Sequence, residues 1–396
     1  MPDRALSGLT VLDLSENISG PYCARLLCDC GADVIKIERP PHGDPSRQSG
    51  PFPGDEPDPE ASGLFLLLNT GKKSITLNLQ SQAGQRVFNK LVEKADVLVE
   101  SFRPGTMANL GLDYDTLSTI NPSLVMASIT PFGQNGPYRD WDATDIVAQA
   151  TGGLMWLTGE PDREPLMLPL GQAEYLAGLH AAVAIMCAVY HRDSTGEGQH
   201  IDISTQEAVA SILEGALTAY DYSSYVMRRV GSRHQQKCPS KVMRSKDRYV
   251  HLQSGANWDH FATVVEEPQL MQPRLASILR YRYADEVEKL IQPWVDKHTA
   301  QEIFEAAQEW RLPAAPVLRP DELPDDPQFQ ARGYFQMIDH PRAGRLTYPG
   351  PAFRMSRTPP EVKRAPLLGE HNREIYRDML GFSEDEIESL KEEGII

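Results

Sequence analysis

The chain predicts an α/β fold with a mostly parallel sheet. Two observations carry this. Short apolar runs alternate with helical stretches through the first 130 residues, and helices of that length between strands are what βαβ units require. In addition, 396 residues exceed one ordinary hydrophobic core, which implies two domains or one elaborated α/β domain.

The elements follow in order. Thr10-Val-Leu-Asp-Leu14 is a first strand. Gly20-Pro21 opens a helix with Tyr22, Leu26 and Leu27 on one side, and Gly31 ends it. Asp33–Glu38 and Ser74–Asn78 are further strands, the second followed by a helix with Val87, Phe88, Leu91 and Val92 at helical spacing. Asp96–Val99 and Leu124–Ile129 complete the first set. A Pro/Gly/Asp-rich stretch from Pro40 to Ser62 reads as a long surface loop, a common carrier of function. A strong helix spans Ala173 to Arg192, with Leu179, Val183 and Ile185 through Val189 expected to be buried, and His200–Ser204 is another strand. A basic, polar crossover at Arg228–Lys246 leads into a region of short strands (Tyr249–Leu252) and helices (Ala284–Trp294). Pro313 to Pro327 looks like a return linker. Ser383 then caps an acidic helix start.

Composition narrows the function. There are 39 Lys+Arg against 55 Asp+Glu, a net charge of −16, which argues against nucleic acid as the main partner. The apolar stretch Ala181–Tyr190 is shorter than the ~20 residues of a membrane span, and the start leads into no signal-peptide core, so a cytoplasmic setting is expected. Five cysteines make no disulfide framework. Cys23, Cys28 and Cys30 fit no zinc spacing and have no nearby His, so no metal is expected.

The chemical motifs are mostly negative. No GxGxxG follows the first strand, and there is no GxxxxGK[ST], GxSxG or HExxH. Arg39 and Arg103 fall just past strand carboxyl ends, where parallel sheets bind ligands, and Lys72 and Lys73 would have to reach that crevice from a loop. Such cations suit a phosphorylated ligand, and they equally suit ordinary solvated surface. Glu174 stands in the first turn of the long helix. The helix dipole alone favours a carboxylate there; the functional alternative is a nucleophile or base among exposed N–H groups that would hold an oxyanion. His180 reads as a packed helix residue.

The segments Gly8-Leu-Thr-Val-Leu-Asp-Leu14, Gly31-Ala-Asp-Val-Ile-Lys-Ile-Glu38 and Asn69-Thr-Gly-Lys-Lys-Ser74 carry more than pattern. So do Ala95-Asp-Val-Leu-Val-Glu-Ser-Phe-Arg-Pro-Gly105, Gly133-Gln-Asn-Gly-Pro137, Ala177-Gly-Leu-His-Ala-Ala182, Thr195-Gly-Glu-Gly-Gln199 and Ala365-Pro-Leu-Leu-Gly-Glu-His371. In this order the chain resembles the class III CoA-transferases, the family of formyl-CoA transferase and carnitine CoA-transferase. The resemblance implies a Rossmann-like large domain built from both chain ends (1–225 and 326–396), a smaller α+β domain (226–325), and two chains interlocked as a homodimer. It implies acyl-CoA and a carboxylic acid as substrates, with coenzyme A carried between them and no permanently bound cofactor. The family's catalytic aspartate lies four residues before a glycine; here that position is Glu174, before Gly178. Either carboxylate can attack a thioester, and a different class of CoA-transferases uses glutamate. By position Ile18, Arg39, Lys72, Lys73, Ser101, Phe102 and Arg103 match the family's CoA-contacting segments, with Arg39 and the lysines as phosphate partners and Phe102 against the adenine. The family's Asn-Phe is Ser101-Phe102 here. Three alternatives go with the same fold: an acyl-CoA racemase, whose histidine position holds Thr144; an acyl-CoA lyase or hydratase; and a CoA-binding relative without turnover.

Overall fold

In the computed structural model, residues 4–396 are described. Six strands form one parallel sheet: β1 (Thr10–Asp13), β2 (Asp33–Glu38), β3 (Lys73–Thr76), β4 (Val97–Glu100), β5 (Val125–Thr130) and β6 (Gln199–Ser204). Their order is β3-β2-β1-β4-β5-β6, that of doubly wound nucleotide-binding folds, which bind ligands beyond the strand carboxyl ends where the order reverses. The reversal lies between β1 and β4.

Alternate side chains of these strands feed two cores. Leu12, Ile35, Ile75 and Leu98 pack with Phe88, Leu91 and Tyr376 on one face. Val11, Val34, Val97 and Val125 pack on the other with Ala177, Ala181 and Ile185. The helices that matter for the site are α1 (Ser19–Asp29), α2 (Gln82–Val92), α3 (Asp145–Thr151) and α4 (Gln172–Thr195).

Helix α4 is long and apolar enough to cross a membrane, yet one side of it, through Ala177, Ala181, Ile185, Ala188 and Val189, is core. Its other side departs from expectation. Leu179 and Val183 are exposed, Val183 at 65%, because α4 is apolar all round and the sheet and α1 cover only part of it. His180 is likewise exposed, with its ring nitrogens near the Leu176 carbonyl and the Ser211 hydroxyl.

The chain divides into two compact units. The first comprises the chain up to Leu154, Leu168–Leu217 and Gln330–Ile396; the second comprises Met155–Met167 and Thr218–Phe329. Neighbouring segments of the two therefore change over at 217/218 and 329/330, and the excursion Met155–Met167 has no counterpart in the sequence reading.

In the first unit the returning chain covers the sheet edge at β3. The Ser74 carbonyl accepts the His371 N–H (2.9 Å), the Ser74 N–H meets His371 Nδ1 (3.1 Å), the Thr76 N–H meets Asn372 Oδ1 (2.9 Å), and Tyr376 donates its hydroxyl to the Thr76 carbonyl (2.6 Å). Side chains thus satisfy an edge that would otherwise present open ladder groups. This is the physical content of the Ala365–His371 motif.

The second unit holds an antiparallel sheet of β7 (Ser240–Arg244), β8 (Tyr249–Gln253) and β9 (Ala314–Pro316) over a core that includes Trp258, Phe261, Ile291 and Ile303. Strand β9 falls inside the expected linker Pro313–Pro327: its three residues pair with β8, a tertiary contact that their proline content hides in the sequence.

Candidate active site

Helix α4 starts at Gly171, whose φ is +70°. The positive φ favours glycine, and a Cβ there would sit 2.9 Å from Ile18 Cδ1, which brings the loop after β1 against the start of α4. Two turns on, a Cβ at Gly178 would sit 2.5 Å from the Ser19 carbonyl oxygen. The glycine four residues after Glu174 is thus where α4 crosses α1 at close range.

Gly171 has no side chain with which to cap α4. The cap comes from α3 instead. Asp145 Oδ1 accepts the N–H of Ala173 (2.8 Å) and of Glu174 (3.4 Å), a carboxylate held by the positive end of a helix. Its Oδ2 accepts from Gln149 Nε2 (2.5 Å). Gln149 is fully buried and also clamps Leu168, donating to its carbonyl (3.0 Å) and accepting its N–H (2.8 Å). The Ala173 and Glu174 amides are therefore spent on Asp145. This corrects the expectation that first-turn N–H groups stand open to an oxyanion.

The Glu174 carboxylate itself has no hydrogen bond or ion pair among the described residues, although the group is largely buried. Burial, and secondly the charge of Asp145, push its pKa up to about 7. Next to it, Tyr175 packs edge-on against Tyr22 of α1, ring centroids 4.8 Å apart.

A cleft of about 300 Å³ opens at the carboxyl ends of β1, β2 and β4; Ser15, Glu16, Lys36, Arg39, Asn78 and Phe102 are among its lining residues. Arg39 is exposed there and has no ion pair among the described residues. Ser101 fastens the wall: its Oγ accepts the Glu16 N–H at 2.9 Å. The loop after β1 joins cleft and helix, since Glu16 lines the cleft while Ile18, two residues later, touches the start of α4. That loop is firmly held. Lys36 donates to the Ser15 carbonyl, the Ser15 N–H goes to Asp13 (3.0 Å), and the Asn17 N–H goes to Asp44 (3.2 Å).

Three of the expected cations lie elsewhere. The Lys72 ammonium is buried, bonded to Asp13, the Pro21 carbonyl and Asn69, each at 2.8 Å, and so has no free donor for a phosphate. Lys73 sits at the amino end of β3, paired with Asp33 (2.9 Å) and Glu374 (3.1 Å), at the wrong end of the strands for the crevice. Arg103 pairs with Asp142 and opens on a second, smaller cavity. A second cation beside Arg39 in the cleft lining, Lys36, was missed because it lies within the apolar strand β2; its ammonium is buried on the Ser15 carbonyl and Asp44. Asp145 and Gln149 were missed as well. Their only sequence signal is an acid at a helix start with an amide four residues on.

Comparison with known proteins places this geometry. The profile of CoA-transferase family III matches residues 6–372. The chain belongs to CoA-transferase family III. Among curated family members it is 34% identical to succinyl-CoA–D-citramalate CoA-transferase of Chloroflexus aurantiacus, over 100% of this chain and 99% of that one. It is 32% identical to formyl-CoA:oxalate CoA-transferase of Rhodopseudomonas palustris, covering 99% of this chain and 97% of that one. Among solved structures, a CAIB/BAIF family protein from Brucella suis aligns with a TM-score of 0.85 at 31% identity, covering 95% of this chain and 100% of that one. Among the described residues no group of three His, Cys, Asp or Glu could hold a metal ion.

Proposed function

We propose that the protein moves CoA from an acyl-CoA thioester to a carboxylic acid with Glu174 as the nucleophile. The observation that carries this reading is a largely buried carboxylate with no counter-ion, placed at a helix start that a three-residue loop segment connects to the family's CoA crevice.

The steps balance without a proton donor. The ionised Glu174 carboxylate adds to the thioester carbonyl, the C–S bond breaks, and CoA thiolate leaves an acyl-glutamyl anhydride. The thiolate then attacks Cδ of Glu174, releasing the donor acid as carboxylate and leaving a glutamyl-CoA thioester. The acceptor carboxylate repeats both steps in reverse, ending with acceptor-CoA and free Glu174. Because Ala173 and Glu174 give their N–H groups to Asp145, these two amides are not free to hold the oxyanion. In the cleft, Arg39 supplies positive charge for the CoA phosphates and Phe102 an apolar face for the adenine, while the buried Lys36, bonded to the Ser15 carbonyl and Asp44, holds the wall.

Relatives named for succinyl-CoA with D-citramalate, L-malate or mesaconate make succinyl-CoA the donor and short dicarboxylates the acceptors to try first. The working form in this reading is a homodimer. An apolar groove of about 690 Å³ runs beside α1 and α4, including Leu26, Val183, Met186 and Phe353, and Tyr190 on its rim is 79% exposed. In this reading the exposed apolar groove is the association face. A reducing, cytoplasmic setting goes with five free cysteines.

The test is transfer of labelled CoA from succinyl-CoA to a panel of short carboxylic acids, with α-proton exchange followed in parallel. Label appearing in a new CoA ester, and lost in Glu174→Gln, supports the reading. Solvent deuterium entering the acyl chain without transfer would replace it with a racemase.

A further inference from the structure

The turn Glu100–Phe102 is a wall shared by two cavities. Phe102 lines the coenzyme cleft, whereas Glu100 and Arg103 line a separate cavity of about 140 Å³. The floor of this second cavity is built from the sheet. Glu100 of β4 and Ser128 of β5 are register partners, so their side chains share one face, and each is 2% exposed. Glu100 Oε2 accepts the Phe102 N–H at 2.8 Å, and Ser128 Oγ lies 2.9 Å from Nε2 of His200 on β6. The His200 ring is stacked at 5.7 Å on Tyr114. The rim carries two guanidinium groups, Arg103 and Arg139. Their carboxylate partners, Asp142 and Asp140, are 77% and 79% exposed; ion pairs this open contribute little and exchange readily for a better ligand.

We propose that this cavity binds a small oxyanion, a free phosphate or the carboxylate of a short acid, held by Arg103 and Arg139 above the Ser128–His200 pair. A guanidinium fork matches the geometry of either anion, and the volume admits a tetrahedral anion or a short acid while excluding CoA. Glu100 does not oppose this. Burial pushes its carboxyl up to about 7, so that the floor carries a titratable group rather than a fixed charge; the other charged and titratable groups nearby are Asp113, Tyr114, Asp202, His200, Arg103 and Arg139, and Asp113 Oδ1 accepts the Thr116 N–H at 2.9 Å. The proposal rests on this cavity alone and does not depend on Glu174 being a nucleophile.

The experiment is calorimetric titration of the full chain, saturated with CoA so that the coenzyme cleft is filled, with inorganic phosphate and separately with acetate at constant ionic strength. One equivalent of either anion is expected, weakened at least tenfold by Arg139→Gln and by His200→Gln, with their melting temperatures unchanged. The His200 imidazole resonances of the parent protein should shift on saturation. Phosphate binding alone assigns a phosphate site; binding of both assigns a general oxyanion site. Loss of all uptake in the presence of CoA would show the cavity to be an arm of the coenzyme cleft. Uptake unchanged in both variants would put the ion elsewhere. Either result overturns the proposal.

Discussion

Two sets of buried carboxylates in the same unit are treated in opposite ways. Beneath the cleft, Asp13 and Glu38 are completely paired. Asp13 meets Lys72 at 2.8 Å and Lys36 at 3.9 Å, and Glu38 takes Arg47 at 2.7 and 2.9 Å as well as Ser74 at 2.7 Å. Burial works to raise the Asp13 carboxyl, yet Lys36 and Lys72 hold it below its usual range. At the start of α4, Glu174 is half-buried without any such partner among the described residues, and its carboxyl rises to about 7. A paired carboxylate is inert scaffold, because its lone pairs and charge are already used. An unpaired one is a weakly solvated nucleophile, and it costs stability. The contrast separates the residues that build this site from the one proposed to act in it.

The sharpest way to break the comparison is to exchange outcomes. Glu174→Gln should lower transfer by at least ~1000-fold while leaving CoA binding, read by calorimetry, within about twofold. Glu174→Asp moves the nucleophile by about a bond length and should retain activity reduced by roughly 100-fold. A Gln variant with near-native turnover would make Glu174 mere helix capping.

Next in size is the scaffold. Arg47 is 1% exposed, bridges Glu38 and Glu60 (2.8 Å), and lies 3.6 Å above the Phe65 ring. Arg47→Met leaves Glu38 buried and short of its main partner, which should cost about 3–5 kcal/mol in denaturant unfolding. A loss below 1 kcal/mol would mean the ion network is dispensable.

The pH dependence then distinguishes the two sets again. Attack needs ionised Glu174, so the transfer rate should rise through about pH 7. Stability runs the other way. Glu174 binds its proton more tightly folded than unfolded, so its contribution is favourable at low pH and is lost as pH rises from the ordinary carboxyl range through about 7. Glu174→Gln should therefore melt higher than the parent at pH 8, by the equivalent of about 1–2 kcal/mol, with the gap closing near pH 5. Removal of a negative neighbour in Asp145→Asn should shift the acid limb of the rate profile to lower pH, and only partly, because burial is the larger cause.

The smallest effects test the placement of the cations. Arg39→Gln should raise KM for the acyl-CoA roughly tenfold, the scale of one charge-assisted phosphate contact, whereas Lys73→Gln, at the opposite end of the strands, should leave KM within about twofold. Equal effects would return Lys73 to the coenzyme.

Much of this fold was legible because its determinants are local. Runs such as Asp33–Glu38 and the Ser383–Glu386 capping box reappear as β2 and as the start of helix Glu384–Glu392. Strand order was not legible, since which strands become neighbours depends on long-range packing. The loop Pro40–Ser62 read as a long surface loop of the kind that carries function, yet its Arg47 is buried against Glu38, because a lone arginine in a Pro-rich stretch carries no sign of the carboxylate that meets it. Leu179 and Val183 read as core, because in sequence an apolar helix face looks the same whether or not its own chain covers it. Glu174 stood out by its position, whereas its raised pKa comes from burial and secondly from Asp145, 29 residues earlier, and both arrive only through tertiary packing such as that of α3 on α4.

The most direct test of the central claim is trapping at Glu174. The protein is incubated with succinyl-CoA and other acyl-CoAs, quenched with hydroxylamine or borohydride, and mapped by mass spectrometry, with Glu174→Ala as control. The account predicts a hydroxamate or a reduced side chain at Glu174, absent in the control. An unmodified Glu174 across the panel, with CoA still bound, would contradict covalent transfer through this residue.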